Sequence, residues 1–455
     1  MNRLVKLSLV ACLILNTTTL LAHVDGSEHL NNEGEILPDI VDKVLKELEK
    51  NGIFYTKTVG RFEITKKLPE KAETIDEMFN YADAYGNIRL AYIDSAHKIS
   101  TSPKVKKEAS AIGGEIGINT ATYHGVGFHI TSYISQNLEF ANPNKNDLNE
   151  DFFNTDRDSF IYISEASINY SNDFVYSKLG RIKVETPYAN SDDIRMAPNT
   201  FEGAWANIDY TDKLKTQIMF INRWAGYDSQ DEDAGLSQDT FKSLVNENAF
   251  GMATISLTYE YAPESEISLW YNFIDEMSSI VYTEVVGVVP LGDDVLFNYG
   301  VQASHMEELK SSNVAGDVLG VMSILSYKGV SIAGAYNIAL VEDGKYITNG
   351  FGGGPYYTSL DEATIEAISE AVRKDSEAFR LGAGYEFSNF GLNGLVLEGV
   401  YGELYGSVHT LREIDAIITY EIRENLSFEA IYTNYEADVD NNTFDRYLVR
   451  MNYAF

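Results

Sequence analysis

Histidine, serine and clustered acidic side chains are the residue types in this sequence that could catalyse a reaction or bind a metal. None of the seven histidines has the spacing of a metal-protease motif, and His124 and His129 are more typical of turn and interior residues. The acidic run at 228–233 lacks the glycine and the terminal glutamate of a calcium-binding loop. Ser407 and His409 lie close together, but no third residue completes a triad with them. We therefore expect no catalysis, no metal and no cofactor.

The cysteine and charge content narrows the class of protein further. Cys12 is the only cysteine in 455 residues, and it lies within residues 1–22, which have the basic start, short apolar run and small final residue of a secretory signal. The exported chain is therefore expected to lack disulfides and thiolate zinc sites. Without Arg3 and Lys6, 33 basic residues (35 minus 2) stand against 68 acidic ones, a net charge of −35. Nucleic acid is not an expected partner of such a chain.

The first part of the exported chain, residues 23–84, has a different pattern from the rest. Apolar residues between Ile40 and Leu48 share one helical face. The stretch from Thr74 has the form of a capping box and predicts a second short helix that ends near Tyr81. We interpret 23–84 as a periplasmic or plug-like extension, and a loosely ordered leader before the first strand is the alternative.

From residue 85 onward the hydrophobic period becomes two, which indicates β-strands. The final strand shows it clearly, because odd positions from Tyr447 to Phe455 are aromatic or apolar while Arg450 and Asn452 lie between them. About eighteen strands, an even number, predict an all-β transmembrane protein with one closed up-and-down antiparallel barrel. The expected strands lie near 85–94, 111–120, 125–136, 160–171, 173–184, 203–212, 215–225, 249–261, 264–276, 278–289, 294–306, 315–327, 329–341, 377–388, 392–405, 410–422, 425–436 and 444–455.

Connection lengths and aromatic content agree with a membrane barrel. Short turns alternate with long polar loops at 137–159, 185–202, 226–248 and 342–376. Outer-membrane barrels carry short turns on one rim and long loops on the other. The 30 tyrosines and 22 phenylalanines suit aromatic girdles at the lipid–water boundaries, although strands favour aromatic residues in any protein. A final strand that pairs with the first would leave no open edge in hydrocarbon.

One segment, LGRIKVETPYANSDDIRMAPNTFEGAWANIDY at 179–210, resembles a known family. In OprD-type (Opr family) porins, a strand end and an inward loop read approximately Gly-Arg, a proline, Asp-x-Arg and Pro-x-x-Phe-x-Gly. This sequence has, in the same order, Gly180-Arg181, Pro187, Asp193-Ile194-Arg195, Pro198 and Phe201-Glu202-Gly203. Together with the strand count and the C-terminal strand, the resemblance covers 85–455. Residues 23–84 lie outside it, and 342–376 resemble the family's long late loop only loosely.

The resemblance implies a passive channel in the outer membrane of a Gram-negative bacterium, narrowed by inward loops, for small carboxylates, amino acids or short peptides. Family members guide carboxylates along a ladder of arginines, because fixed cations in a narrow pore lower the cost of removing water from an anion. The loop Pro187–Gly203 would form the constriction, with Arg195 as its pore-facing cation. The pore-lining candidates are Arg195, Arg181, Asp192, Asp193 and Glu202 and, by strand alternation alone, Arg89, Arg380 and Arg450.

These charged candidates and the channel function each have an alternative. Asp192, Asp193 and Glu202 would set a transverse field across the constriction, but each arginine can also be a lumen or rim charge paired with a neighbouring acid. The acidic composition favours cations at the mouth of a pore. A non-conducting surface barrel, acting as an adhesin or a structural protein, is the alternative function. The expected partners are outer-membrane lipid and small hydrophilic solutes and ions, and a homotrimer is left open.

Overall fold

The computed structural model describes residues 71–100, 102–231, 236–292, 294–438 and 442–455. Within these ranges, eighteen long strands belong to one continuous sheet, and two α-helices accompany them: α1 (Ile75–Asn80) before the first strand and α2 (Ile365–Val372) in a late connection. The strands are β1 Asp83–Lys98, β2 Val105–Asn119, β3 Val126–Asn137, β4 Phe160–Ser171, β5 Val175–Ile182, β6 Thr200–Thr211, β7 Leu214–Ala225, β8 Met252–Ala262, β9 Ser265–Ile274, β10 Ser278–Gly292, β11 Val295–Glu308, β12 Gly316–Tyr327, β13 Val330–Leu340, β14 Ser376–Glu386, β15 Leu395–Tyr405, β16 Thr410–Arg423, β17 Leu426–Ala437 and β18 Asn442–Ala454.

Each long strand pairs antiparallel with the next, and β18 pairs with β1, so the sheet closes on itself. The closing ladder runs from Asn87 opposite Ala454 to Lys98 opposite Thr443. The predicted closed antiparallel barrel of eighteen strands is confirmed. The regular C-terminal alternation now has a cause, because β18 is hydrogen-bonded to β17 on one side and to β1 on the other along its length.

The two faces of the barrel wall differ as the alternation predicts. On β18, Tyr447 and Met451 are 53% and 40% exposed, whereas Arg446 and Arg450 are 1% and 5% exposed. Exposed apolar side chains recur on the outer face of the other strands, where they would contact lipid acyl chains. The inward face is polar or packed against other parts of the chain. Each strand therefore separates an apolar exterior from a polar interior.

The connections alternate in length between the two rims. At the rim that holds the start of β1 and the end of β18 they are short, as at 212–213 and 263–264. The opposite rim carries four long connections: 138–159, 183–199, 226–251 and 341–375. All four correspond to the predicted long loops. In outer-membrane barrels the rim with short turns faces the periplasm.

Helix α1 lies at the short-turn rim, where the predicted capping residue starts it. The Thr74 hydroxyl accepts a hydrogen bond from the Glu77 backbone N–H at 3.1 Å. The Glu77 carboxylate in turn accepts from the N–H of Glu73 rather than of Thr74, so the capping box is shifted by one residue. Phe79 stacks on outward-facing Phe128 of β3 at 6.4 Å between ring centroids. Residues 71–82, the described part of the extension before β1, are thus attached to the rim beside the wall.

Two predictions for the N-terminal region concern residues that the structure does not describe. The signal at 1–22 and the helix at 40–48 lie outside the described residues. Neither described helix is long and apolar enough to cross a membrane.

Two of the long connections, 183–199 and 341–375, fold into the barrel interior, and together we call them the partition. An interior hydrophobic cluster joins Tyr188 and Phe351 of the partition to wall residues such as Trp224. In the second segment, α2 buries its apolar face in the same cluster. The partition is therefore packed against the wall as a core is packed, which fixes the position of its charged side chains.

Candidate pore constriction

The two segments of the partition are bonded to each other by backbone groups. The N–H of Asn190 donates to the carbonyl of Phe351, and the N–H of Phe351 donates to the carbonyl of Tyr188, each at 2.9 Å. Gly350 stands at this crossing with φ of 76°. A Cβ at this position would lie 2.2 Å from the carbonyl oxygen of Tyr188, so only glycine permits the approach. The two segments consequently form one unit across the lumen.

Arg89 of β1 holds a carboxylate of the partition in a bidentate arrangement. Its Nη1 and Nη2 donate to Oδ1 and Oδ2 of Asp193, both at 2.7 Å. Its Nε donates to the side-chain oxygen of Asn452 at 2.7 Å, and Nη1 also reaches the carbonyl of Arg195 at 2.7 Å. Arg89 is 3% exposed. The fork geometry is the one in which arginine recognises planar carboxylates.

Arg450 of β18 lies beside Arg89 and contacts the same part of the partition. Its Nε donates to Oε2 of Glu429, the residue directly opposite on β17, at 2.8 Å. Its Nη1 donates to the carbonyl oxygens of Asp193 and Arg195 at 2.7 and 3.2 Å. The site therefore contains two guanidinium groups and two carboxylates, those of Asp193 and Glu429, and its formal charge is zero.

Arg446, which was not among the candidates predicted from the sequence, forms a second contact between β18 and the partition. Its guanidinium is ion-paired with Asp361 and Glu362 of the segment 341–375, and it is 1% exposed. The hydroxyl of Thr433 donates to Asp361 at 2.7 Å. Arg446 lies four residues before Arg450, so the alternation that placed Arg450 in the lumen applies equally to Arg446.

Arg195 lies inside the partition and is 2% exposed. Its Nε donates to Asp151 at 2.9 Å, its Nη2 lies 3.4 Å from a carboxylate oxygen of Glu362, and its guanidinium stacks on the ring of Tyr227 at 4.5 Å. Burial disfavours its charge, but Tyr227 and Asp151 raise the pKa of Arg195 above its ordinary value. The structure thus surrounds Arg195 with protein groups from three loops, where the sequence suggested a cation facing the passage.

Asp192 lies beside the long connection 226–251, close to Asp228. Asp192 is 9% exposed, and its carbonyl accepts from the N–H of Asn199 at 3.4 Å. The side chain of Asn199 donates to Asp228 at 2.6 Å. Burial and the nearby charge of Asp192 raise the pKa of Asp228. The charge of Asp192 therefore acts on the carboxyl group of Asp228 in the connection 226–251.

Arg181 and Glu202 lie on the outer face of the wall. Glu202 of β6 is directly opposite Arg181 of β5, and Nε of Arg181 donates to it at 2.9 Å. Their strand neighbours Ile182 and Phe201 belong to the interior cluster, and adjacent residues of a strand point to opposite faces. This differs from the expectation that both line the pore. A register shift between Glu202 and Gly203 marks a β-bulge here, and sequence alternation does not define the face across a bulge.

Arg380 of β14 lies on the lumen side, as its parity predicts, and is 4% exposed. Its charged surroundings are the carboxylates of Glu398, Asp415 and Glu413. Among the described residues its Nη1 has no hydrogen-bond partner. Glu413 also accepts the backbone N–H groups of Glu362 and Ala363 at 2.9 and 2.6 Å, which ties the partition to β16.

A further charged group on the lumen side was not found from the sequence. Lys183, at the start of the partition, lies 3.5 Å from a carboxylate oxygen of Glu115 and 3.1 Å from one of Glu165. His129 lies 3.3 Å from Glu165 on the other side. Strand parity could have placed Glu115 and His129 on the lumen face, but Glu165 has the parity of outward-facing Ile163 and reaches the lumen because of a register shift between β3 and β4. No group of three His, Cys, Asp or Glu residues in the described ranges is arranged to hold a metal ion.

Solved structures of channels share this architecture. Three of them are OpdG (OccK9) of Pseudomonas aeruginosa, a BenF-like porin of Pseudomonas fluorescens Pf-5, and OpdK of Pseudomonas aeruginosa with vanillate. Their TM-scores to this chain are 0.71, 0.68 and 0.67, at 14%, 16% and 13% sequence identity. The matches cover 83%, 82% and 82% of this chain and 100%, 98% and 98% of theirs. At such identity the similarity establishes the fold.

Sequence comparison establishes the family. No curated protein matches the chain. The family described as "outer membrane porin, OprD family" matches residues 170–454, which is more than half of the chain. That range contains the partition and every strand from β5 to β18. The fold is that of an outer-membrane channel for small solutes, and porins are transport channels rather than enzymes. The chain belongs to the OprD family of outer membrane porins.

Proposed function

We propose that this porin lets small carboxylate-bearing solutes diffuse passively across the outer membrane of a Gram-negative bacterium, with the partition as the constriction. The observation that carries the proposal is the bidentate contact of Arg89 with a carboxylate, at 2.7 Å for both oxygens. A guanidinium that holds Asp193 in this way has the geometry to hold the carboxylate of a solute. Arg450 and Arg446 extend the row of cations along β18.

Amino acids and short peptides are included in the proposed solute class. They carry a carboxylate for the arginines, and the carboxylates of Glu115 and Glu165 offer a position for an ammonium group. The vanillate in the solved OpdK structure is likewise a carboxylate. The net charge of −33 works in the opposite direction at the mouth, where it attracts cations. The preference of the pore for carboxylates over cations is therefore set at the partition and not at the mouth.

Planar-bilayer conductance of the purified barrel tests the channel, and liposome swelling with acids, amino acids and sugars tests the solute class. We expect ion current, and faster swelling with carboxylates than with neutral sugars of equal size. A folded barrel without current would instead support the non-conducting adhesin or structural role. Cross-linking of the same preparation distinguishes a monomer from a homotrimer.

We propose that Arg195 acts on selectivity through the partition. Replacing Arg195 with Glu adds a carboxylate beside Asp151 and Glu362, and we expect the reversal potential to shift towards cations. An unchanged reversal potential would mean that Arg195 has no influence on the constriction.

A further inference from the structure

The wall arginines nearest the partition are occupied by carboxylates of the protein itself. Asp193 fills the fork of Arg89, and Asp361 and Glu362 contact Arg446. Arg89 and Asp193 are almost sealed from solvent, with side-chain exposures of 4% and 9%. A solute carboxylate therefore meets no vacant guanidinium fork at these positions.

The two carboxylates at the Arg89–Arg450 site are attached to different parts of the molecule. Glu429 belongs to β17 and is paired directly across the ladder from Arg450, so its position is fixed by the barrel wall. Asp193 belongs to the segment 183–199, which lies between β5 and β6. Asp193 therefore lies on a connection outside the strand ladders, whereas Glu429 projects from a strand whose backbone is paired on both sides.

The contacts of Asp193 define the shape of the ligand that can replace it. Two parallel N–H donors, each 2.7 Å from one oxygen, match a planar carboxylate. A spherical anion such as chloride would have to accept from both donors with one atom, so it matches the two parallel contacts less well than a carboxylate does. Without the charge of Asp193, the site would hold two guanidinium groups against Glu429 alone, a formal charge of +1.

We infer that Asp193 is a specificity-determining residue. Its carboxylate occupies the position beside Arg89 where a solute carboxylate would bind, and a permeating carboxylate passes by displacing it. This inference rests on the proposed channel function. Asp193 keeps chloride from the guanidinium of Arg89, but it can be displaced by a solute whose carboxylate makes the same two hydrogen bonds. Among the described residues, the bidentate contact with Arg89 belongs to Asp193, whereas Asp192, one residue earlier, lies close to Asp228.

The test compares the wild-type channel with Asp193→Asn in planar bilayers. Asn keeps the size of Asp193 but removes its charge and one acceptor oxygen. We expect the reversal potential in a KCl gradient to shift towards anions. We also expect acetate to block the chloride current at a concentration about tenfold lower than in wild type, as loss of a charge-assisted contact predicts.

Two further variants separate specificity from a structural effect. Asp158→Asn removes the same charge from an exposed pair with Lys145, and it should behave as wild type. Adding Arg89→Lys to Asp193→Asn keeps the charge but removes the fork. It should abolish the acetate block and leave the KCl reversal potential of the single variant unchanged. Each variant is first shown to be folded by its heat-modifiable mobility in electrophoresis.

Three outcomes would overturn the inference or its basis. If Asp193→Asn has wild-type selectivity and acetate sensitivity, Asp193 is not the occupant of the carboxylate position. If it raises conductance for all ions equally without acetate block, Asp193 only fastens the partition. If the wild-type barrel conducts nothing, the proposed channel function itself fails, and that result is distinct from the other two.

Discussion

At the residue scale, the lumen arginines of β1 and β18 are held by acids of the same chain. Burying a charge is costly unless it is paired and hydrogen-bonded, and Arg89, Arg446 and Arg450 are each at most 5% exposed. The ion pairs with Asp193, Asp361 and Glu429 satisfy this requirement. The arrangement explains how an acidic chain can keep cations along its lumen.

Replacement of Arg450 by Gln should change both selectivity and stability. The variant leaves Glu429 in the lumen without its ion pair, so we expect the K⁺/Cl⁻ permeability ratio to rise by roughly twofold or more. Loss of one partner of a buried pair should also destabilise the barrel by about 3–5 kcal/mol. Reversal potentials and urea unfolding in detergent measure the two effects. Arg423→Gln, at an exposed position at the end of β16, should change neither.

Glu366 on α2 gives the partition a pH dependence. Burial is the main cause that raises the pKa of Glu366 from 4.5 to about 7, with a smaller contribution from Glu370. Its carboxylate accepts the backbone N–H of Asn349 at 2.7 Å, so it joins α2 to the crossing of the two segments. Below pH 4.5 it is protonated in the packed and in the released segment. As the pH rises from 4.5 to about 7, Glu366 ionises in the released segment but stays protonated in the packed one. The packed segment therefore loses stability relative to the released one over this range.

We therefore expect the segment 341–375 to resist protease better at pH 5 than at pH 8. Limited proteolysis of the barrel in detergent, with a protease active at both values, measures the difference. Glu366→Gln should make the cleavage rates equal, whereas Asp343→Asn, an exposed position in the same segment, should keep the difference. Faster cleavage at pH 5 would contradict the assignment.

At the element scale, the segment 341–375 is positioned by a short helix and a wall carboxylate. Thr364 caps α2 by accepting the N–H of Ala367 at 3.1 Å. Immediately before the helix, Glu413 of β16 accepts the two N–H groups of Glu362 and Ala363. Both oxygens of one buried side chain are therefore used to hold the segment against the wall.

Removal of this attachment should loosen the partition without opening the barrel. In Glu413→Ala, the buried N–H of Ala363 loses its acceptor at a cost of about 1–3 kcal/mol, and the partly buried N–H of Glu362 loses its acceptor as well. We expect larger and noisier single-channel currents and faster proteolysis within 341–375. Glu436→Ala removes an exposed carboxylate from neighbouring β17 and should leave the current unchanged. Identical currents for the two variants would exclude Glu413 as the attachment.

The strands could be predicted from the sequence, but the contacts of the partition could not. The alternation of apolar and polar residues depends only on which face of a strand contacts lipid. It therefore located all eighteen strands. It missed the start of β2, predicted at 111 and found at Val105, because residues 105–110 are largely polar and are held there by backbone pairing with β1. Parity also assigned Arg89 and Arg450 to the lumen. Arg181 and Glu202 were pore-lining candidates from the family resemblance, and parity was not used for them. Parity could not show that Asp193 would reach Arg89 across 104 residues.

At the scale of the whole molecule, closure of the sheet determines how stable its last strand is. Hydrocarbon offers no hydrogen-bond partners, so every backbone group of a membrane-embedded strand must be paired within the protein. Phe455 meets this requirement to the end of the chain, because its N–H and carbonyl pair with Gly86 at 2.9 and 3.0 Å. Chain termini usually fray, and here the pairing should prevent it.

Hydrogen exchange of the barrel in detergent micelles tests this closure directly. We expect the amides of Met451, Tyr453 and Phe455 to exchange as slowly as those of β11, which lies far from both chain ends, because all are paired on closed ladders. Gly86→Pro removes the N–H that Phe455 accepts and constrains the backbone opposite the terminus. In that variant the exchange of Phe455 and Tyr453 should accelerate, while β11 stays protected. Fast exchange of the last strand in the wild type would mean that β1 and β18 do not close the barrel in solution, and the lumen arginines on those two strands would then lose the geometry on which the channel depends.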